Sequence, residues 1–214
     1  MSILMPHSAF LHFPKTGGMW VADAIHNSGI EHKQLKCKNP AHPTQRSIHG
    51  VPLHIPAFRA REHVLCFVRH PLHFYRSYWA FKELNFEGPK WNERNPFDIE
   101  CQANTFLGFM DHLWDHYGGQ GYMSREFIRY EHHATYVGKQ EHLVDDLVEF
   151  LYQAEEEFSE DDIRATPPTN VAASRPDKEV LTLYDTRTID RVMQMDRYLI
   201  DKYYAGRACK VLCV

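Results

Sequence analysis

The chain has 214 residues and a net charge of -4 at pH 7, enough length for one domain around a single core. An apolar fraction of 43% and an aromatic fraction of 13% exclude a disordered chain. The acidic balance excludes a globally basic nucleic-acid binder, although it leaves room for a local basic pocket. Fifteen histidines make that charge sensitive to pH just below neutrality. No apolar run approaches the roughly 18 residues that span a bilayer, and the N-terminus lacks the basic-then-apolar order of a signal peptide. A soluble, cytoplasmic protein is expected.

The first informative stretch is 10–20, Phe-Leu-His-Phe-Pro-Lys-Thr-Gly-Gly-Met-Trp. It predicts a short buried strand, a tight Lys15-Thr16-Gly17-Gly18 turn, and an amphipathic helix over about 20–27. Glycines let the backbone approach a ligand, and free N–H groups at a helix start point at anions. Lys15 adds a point charge and Thr16 a hydroxyl donor. An ordinary strand-to-helix turn with a solvated lysine is the competing reading. A Walker A loop is excluded, because there the lysine follows the second glycine and here it precedes both.

Residues 31–43 are polar, with Lys33, Lys36, Lys38 and two prolines, and predict a basic surface loop. The stretch 48–61 predicts a short strand ending near His54, then a turn into a small helix. Next comes Val64-Leu65-Cys66-Phe67-Val68, a continuous apolar run typical of a strand buried on both faces. Arg69 follows it, and Pro71 suits the first turn of a helix carrying Tyr75, Arg76, Ser77, Tyr78, Trp79 and Phe81. Arg69 thus falls at the carboxyl end of a buried strand, where open α/β sheets bind ligands. Arg69 and the Ser77 hydroxyl suit a second phosphate, and a plain capping or ion-pairing arginine is the alternative.

Residues 85–95 predict a loop at the pocket mouth. Phe106, Phe109, Met110, Leu113 and Trp114 repeat at helical offsets, and glycines from Gly118 break that helix. Residues 126–131 read as a further strand and 139–156 as a helix with Leu143, Leu147, Phe150 and Leu151 on one face. The acid run 155–162 reads as a solvated helix end and loop. A Pro-rich loop follows at 166–178, then a long last helix from about 180 to 204. Glu131, His132, His133 and His142 lack metal-ligand spacing, so no metal is expected. The five cysteines contain no Cys-x-x-Cys pair and read as reduced thiols, Cys66 simply buried.

Pro-Lys-Thr-Gly-Gly after one strand, with Phe-Val-Arg-x-Pro-x-x-x-x-x-Ser-Tyr after a later one, resembles the sulfotransferases that use 3′-phosphoadenosine-5′-phosphosulfate (PAPS), in their carbohydrate-type and bacterial branches. The resemblance implies an α/β fold: a three-layer, P-loop-like domain with a mostly parallel central sheet, formed by the whole chain. It implies that Lys15, Thr16, Gly17, Gly18, Met19 and Trp20 hold the 5′-phosphosulfate. Arg69 and Ser77 would hold the 3′-phosphate, with Arg175 and Lys178 arriving on a C-terminal loop. Met19 stands where the family usually has Thr or Ser, and His70 where Asp or Asn is common. His54 becomes the candidate general base, with His12, His49, Glu83 and Glu87 as rivals. The implied reaction moves a sulfuryl group to an acceptor hydroxyl on a glycan or a small molecule, with no nucleic acid, membrane span or metal involved. A kinase-like phosphoryl transferase and a non-catalytic nucleotide-binding module are the alternatives. Oligomeric state stays open.

Overall fold

A computed structural model describes residues 2–35, 37–39, 42–47, 51–84, 90–169 and 181–206, with the backbone alone for 37–39 and 42–47. His49, Glu87, Arg175 and Lys178 lie outside the described residues. The chain packs as two compact units, one comprising 1–69 with 127–171, the other 70–126 with 172–214.

The first unit is α/β. Strands β1 (Ser2–Leu4), β2 (Ser8–Leu11), β3 (Lys33–Leu35), β6 (His63–Val68) and β7 (Tyr136–Lys139) form a sheet in the order β3-β1-β2-β6-β7. β4 (Cys37–Asn39) and β5 (His42–Ser47) form a separate antiparallel pair. β2, β6 and β7 are mutually parallel, and β1 opposes both β2 and β3. Four of the five strands therefore run one way, giving an open, mostly parallel sheet.

The apolar runs explain the two central strands. Phe10, Leu65 and Phe67 face a core filled by Val21, Ala24 and Ile25 of α1 (Gly18–Asn27) and by Leu147, Phe150 and Leu151 of α7 (Leu143–Gln153). Ile163 of the short α8 (Glu160–Ala165) completes it. Ala9, Leu11, Val64, Cys66 and Val68 alternate with these residues and are buried too, so β2 and β6 are covered on both faces. Cys66 lies in this interior, where burial first, and Glu131 second, push its thiol pKa far up.

Several predicted elements differ, among them the expected 139–156 helix, whose first residue Lys139 ends β7 and whose helical part is Leu143–Gln153. The expected loop over 31–43 contains β3, an edge strand that points only Leu35 inward and leaves Lys33 and Gln34 exposed, with the β4–β5 pair beginning beyond it. No strand precedes His54 among residues 51–55, although the small helix α2 (Pro56–Arg59) is present. Residues 126–131 are the end of helix α6 (Tyr122–Glu131). Met123, Phe127 and Tyr130 are buried at offsets of four and seven, a helical spacing that outweighs the local β propensity of Phe127-Ile128.

The second unit is helical. It holds α3 (Pro71–Glu83), α4 (Pro96–Cys101), α5 (Phe106–Tyr117), the start of α6, α9 (Thr186–Met195) and α10 (Arg197–Leu199), which runs into a π-helical turn at Ile200–Tyr204. Its core is aromatic: Phe74, Tyr75, Trp79, Phe97, Phe106, Phe109 and Tyr184 are buried, whereas Phe81 points outward. The expected long last helix is interrupted before Thr186. Tyr184 is buried with its hydroxyl on the Leu72 carbonyl oxygen, and Asp185 caps α9 by accepting from the Thr188 N–H at 2.6 Å. No helix among the described residues is long and apolar enough to cross a membrane.

Candidate anion site at the carboxyl edge of the sheet

β2 ends at Leu11, and the chain turns through Pro14 and Lys15 into α1. Two residues of this turn take left-handed backbone, Lys15 at φ 64° and Gly17 at φ 85°. The second suits glycine; the first holds a lysine in a conformation that costs about 1–2 kcal/mol outside glycine. Such outliers concentrate at ligand-binding turns. Gly17 is the N-cap of α1 and supplies no side-chain cap, so the helix presents its first N–H groups without an internal side-chain acceptor.

Gly18 is required by its neighbour. A Cβ there would lie 2.0 Å from Cδ2 of His12, which is buried and stacks on Phe10 with centroids 6.1 Å apart. The last residues before the turn are fixed as well, with Phe13 packed edge-on against Phe127 and Tyr130.

The parallel pairing brings the second motif to the same edge. Leu11 registers with Cys66, and Arg69 follows β6 directly. Its guanidinium Nη1 donates to the carbonyl oxygen of Lys15 at 2.9 Å. Two cations and an uncapped helix start thus share one sheet edge, an arrangement suited to phosphate or sulfate. Lys139 ends β7 in register with Val68 and puts a third basic residue at this edge. Lys139 is not legible as an edge residue in the sequence, where the strand is expected at 126–131 and lies instead at Tyr136–Lys139.

The other predicted residues separate into groups. The Thr16 hydroxyl is buried and donates to the Phe13 carbonyl oxygen at 2.8 Å, so it braces the turn in this structure. The Trp20 indole donates to the carbonyl oxygen of Thr166 at 3.2 Å and packs into the core. Met19, on the first turn of α1, is 40% exposed. Ser77 is half-buried on α3 of the second unit. Glu83, in the same helix, accepts from the Trp91 indole at 2.7 Å.

His54 is exposed in the 51–55 turn. Its neighbour Leu53 lines a cavity with Val64 and His133, at the start of β6, and Arg61 from the same segment donates to the Met5 carbonyl oxygen beyond β1. That is the amino edge of β6, opposite Arg69, and the structure does not bring His54 to the Lys15 turn. His12 packs against the turn, its ring lying where a Cβ on Gly18 would fall.

Among the described residues no three His, Cys, Asp or Glu side chains gather as a metal site. No protein-family model, curated protein or solved structure matches the chain.

Proposed function

We propose that the chain is a PAPS-dependent sulfotransferase with a three-layer, P-loop-like sulfotransferase fold, moving a sulfuryl group to an acceptor hydroxyl on a glycan or small alcohol. The observation that carries this reading is the hydrogen bond from Arg69 to the Lys15 carbonyl oxygen. It joins the two motifs of the resemblance at the carboxyl edge of adjacent parallel strands. In the proposed complex the Gly17–Gly18 backbone and the first turn of α1 receive the 5′-phosphate, and Lys15 neutralises charge building on the oxygen that bridges phosphorus and sulfur. Positioning and charge stabilisation dominate this kind of transfer, as they do for phosphoryl groups. His12 has a stronger claim than His54 to handle the acceptor proton, because of the two it is the one packed on the turn.

The test is a thermal-shift titration with 3′-phosphoadenosine-5′-phosphate (PAP), with ATP and AMP as controls. At about 100 times the dissociation constant, binding adds roughly 2.7 kcal/mol, a shift on the order of 5–10 °C for a chain of this size. A shift with PAP beyond those with ATP and AMP is expected. No shift, or a larger one with ATP, overturns the reading.

A further inference from the structure

The amino edge of β6 carries a second concavity, remote from the Lys15 turn. A cavity of about 440 Å³ is lined by Leu53, Phe58, Arg59, Arg61, Val64 and His133. Val64 and Arg69 are five strand residues apart, roughly 16 Å at the usual rise. The volume falls in the range of small-molecule sites, roughly 300–1,000 Å³.

Its chemistry is divided. Phe58 and Val64 are buried and Leu53 is 44% exposed, so they supply an apolar wall and lip. Arg59 and Arg61 supply two guanidinium groups, and neither forms an ion pair among the described residues. Arg61 is held in place, its Nε donating to the Met5 carbonyl oxygen at 3.1 Å, which leaves both terminal nitrogens to other acceptors. His133 adds an imidazole whose pKa is lowered by burial and then by His132, so the neutral ring offers one donor and one acceptor. Guanidinium forks match the planar or tetrahedral oxygens of an organic acid.

We propose that this cavity is a binding site for a small organic anion with an apolar body, an aryl or short alkyl group ending in a carboxylate, sulfate or sulfonate. The apolar body lies on Phe58, Val64 and Leu53, and the acid group meets Arg59 and Arg61. This site is separate from the proposed donor site and does not depend on that reading.

The probe is 2-naphthalenesulfonate, titrated by calorimetry into the whole chain, with 2-naphthalenemethanol as its uncharged counterpart. The sulfonate binds and the alcohol binds at least about tenfold more weakly, the loss expected for one charge-assisted hydrogen bond. Arg59→Gln, at an exposed position, weakens the sulfonate by about tenfold or more. Leu53→Trp fills the lip and lowers affinity for sulfonate and alcohol alike, which keeps the test valid where an arginine variant is poorly folded. PAP does not displace the sulfonate. No binding of the sulfonate, equal binding of the alcohol, unchanged affinity in both variants, or displacement by PAP each overturns the proposal.

Discussion

Arg69 donates from Nη1 to the carbonyl oxygen of Lys15 at 2.9 Å, so the cation that ends β6 holds the turn that ends β2. A hydrogen bond from a charged donor contributes about 1.5–3 kcal/mol. Arg69→Ala is expected to lose roughly that much stability in urea denaturation, and PAP affinity should fall at least tenfold with it. Arg69→Lys restores charge without the fork and should recover only part of either loss. Unchanged PAP affinity in the alanine variant removes Arg69 from the proposed donor site.

Lys15 separates function from fold. Its left-handed backbone at φ 64° is strained for any residue with a Cβ. Lys15→Ala keeps the strain and removes the ammonium group, whereas Lys15→Gly removes both. The glycine variant should be about 0.5–1 kcal/mol more stable than the alanine variant, after glycine's larger unfolded-state entropy is set against the relieved strain. If the proposed activity holds, both should lose sulfuryl transfer by orders of magnitude. Near-normal turnover in either variant would sink the role assigned to the ammonium group.

The Gly18–His12 contact predicts a coupling. A Cβ at Gly18 would meet His12 at 2.0 Å inside packed structure, so the ring must move. Gly18→Ala should cost about 1–3 kcal/mol, the usual range for overpacking. In a His12→Ala background the same change should cost distinctly less, because the clashing ring is gone. Additive losses across the double-mutant cycle would show that the two residues do not share this space.

The parts of this site that were legible in the sequence depend on local order. Val64 to Val68 is apolar throughout, so a buried strand followed by Arg69 was readable, as was the start of α3 from Pro71. Phe106, Phe109, Met110 and Leu113 gave α5 by spacing alone. What stayed hidden depends on partners distant in the chain. β1 and β3 have three residues each, and they are defined by pairing with one another and by the pairing of β1 with β2. Glu156 sits in a run of acids that reads as solvated, yet it is buried and accepts from the His7 N–H at 2.9 Å and the Ser8 hydroxyl at 2.7 Å. The Thr16 hydroxyl and the Trp20 indole looked like ligand groups by motif, and their backbone acceptors become visible only in the fold.

The helical unit contains a buried ion pair whose loss should be severe. Lys82 pairs with Asp98, whose side chain is fully buried and also accepts from the Tyr78 hydroxyl at 2.6 Å and the Asn92 N–H at 2.9 Å. Lys82→Met leaves that carboxylate without its cation and should cost about 3–5 kcal/mol in urea denaturation. Adding Asp98→Asn removes the stranded charge and should recover part of the loss. A cost under about 1 kcal/mol for Lys82→Met would mean that the pair is not desolvated as described.

Asp196 gives the same unit a pH dependence. Its carboxylate accepts from the Tyr75 hydroxyl at 2.6 Å and from the N–H and hydroxyl of Ser124 at 2.8 and 2.7 Å. Burial nevertheless dominates these bonds and raises its pKa above the ordinary 3.8. A carboxyl group with a raised folded-state pKa binds its proton more tightly folded than unfolded. Its contribution is therefore fully present below pH 3.8 and is lost as pH rises from there through the raised value. Asp196→Asn abolishes this titration. It also places an amide near the Tyr75 hydroxyl and disturbs that bond, a cost independent of pH over this range. The stability of the asparagine variant relative to wild type should accordingly improve as pH increases from 4 upward, whatever its value at pH 4. Urea denaturation of both proteins at half-unit steps between pH 4 and 7 measures that difference. A difference that stays flat, or falls with pH, would show that the hydrogen bonds of Tyr75 and Ser124 outweigh burial at Asp196.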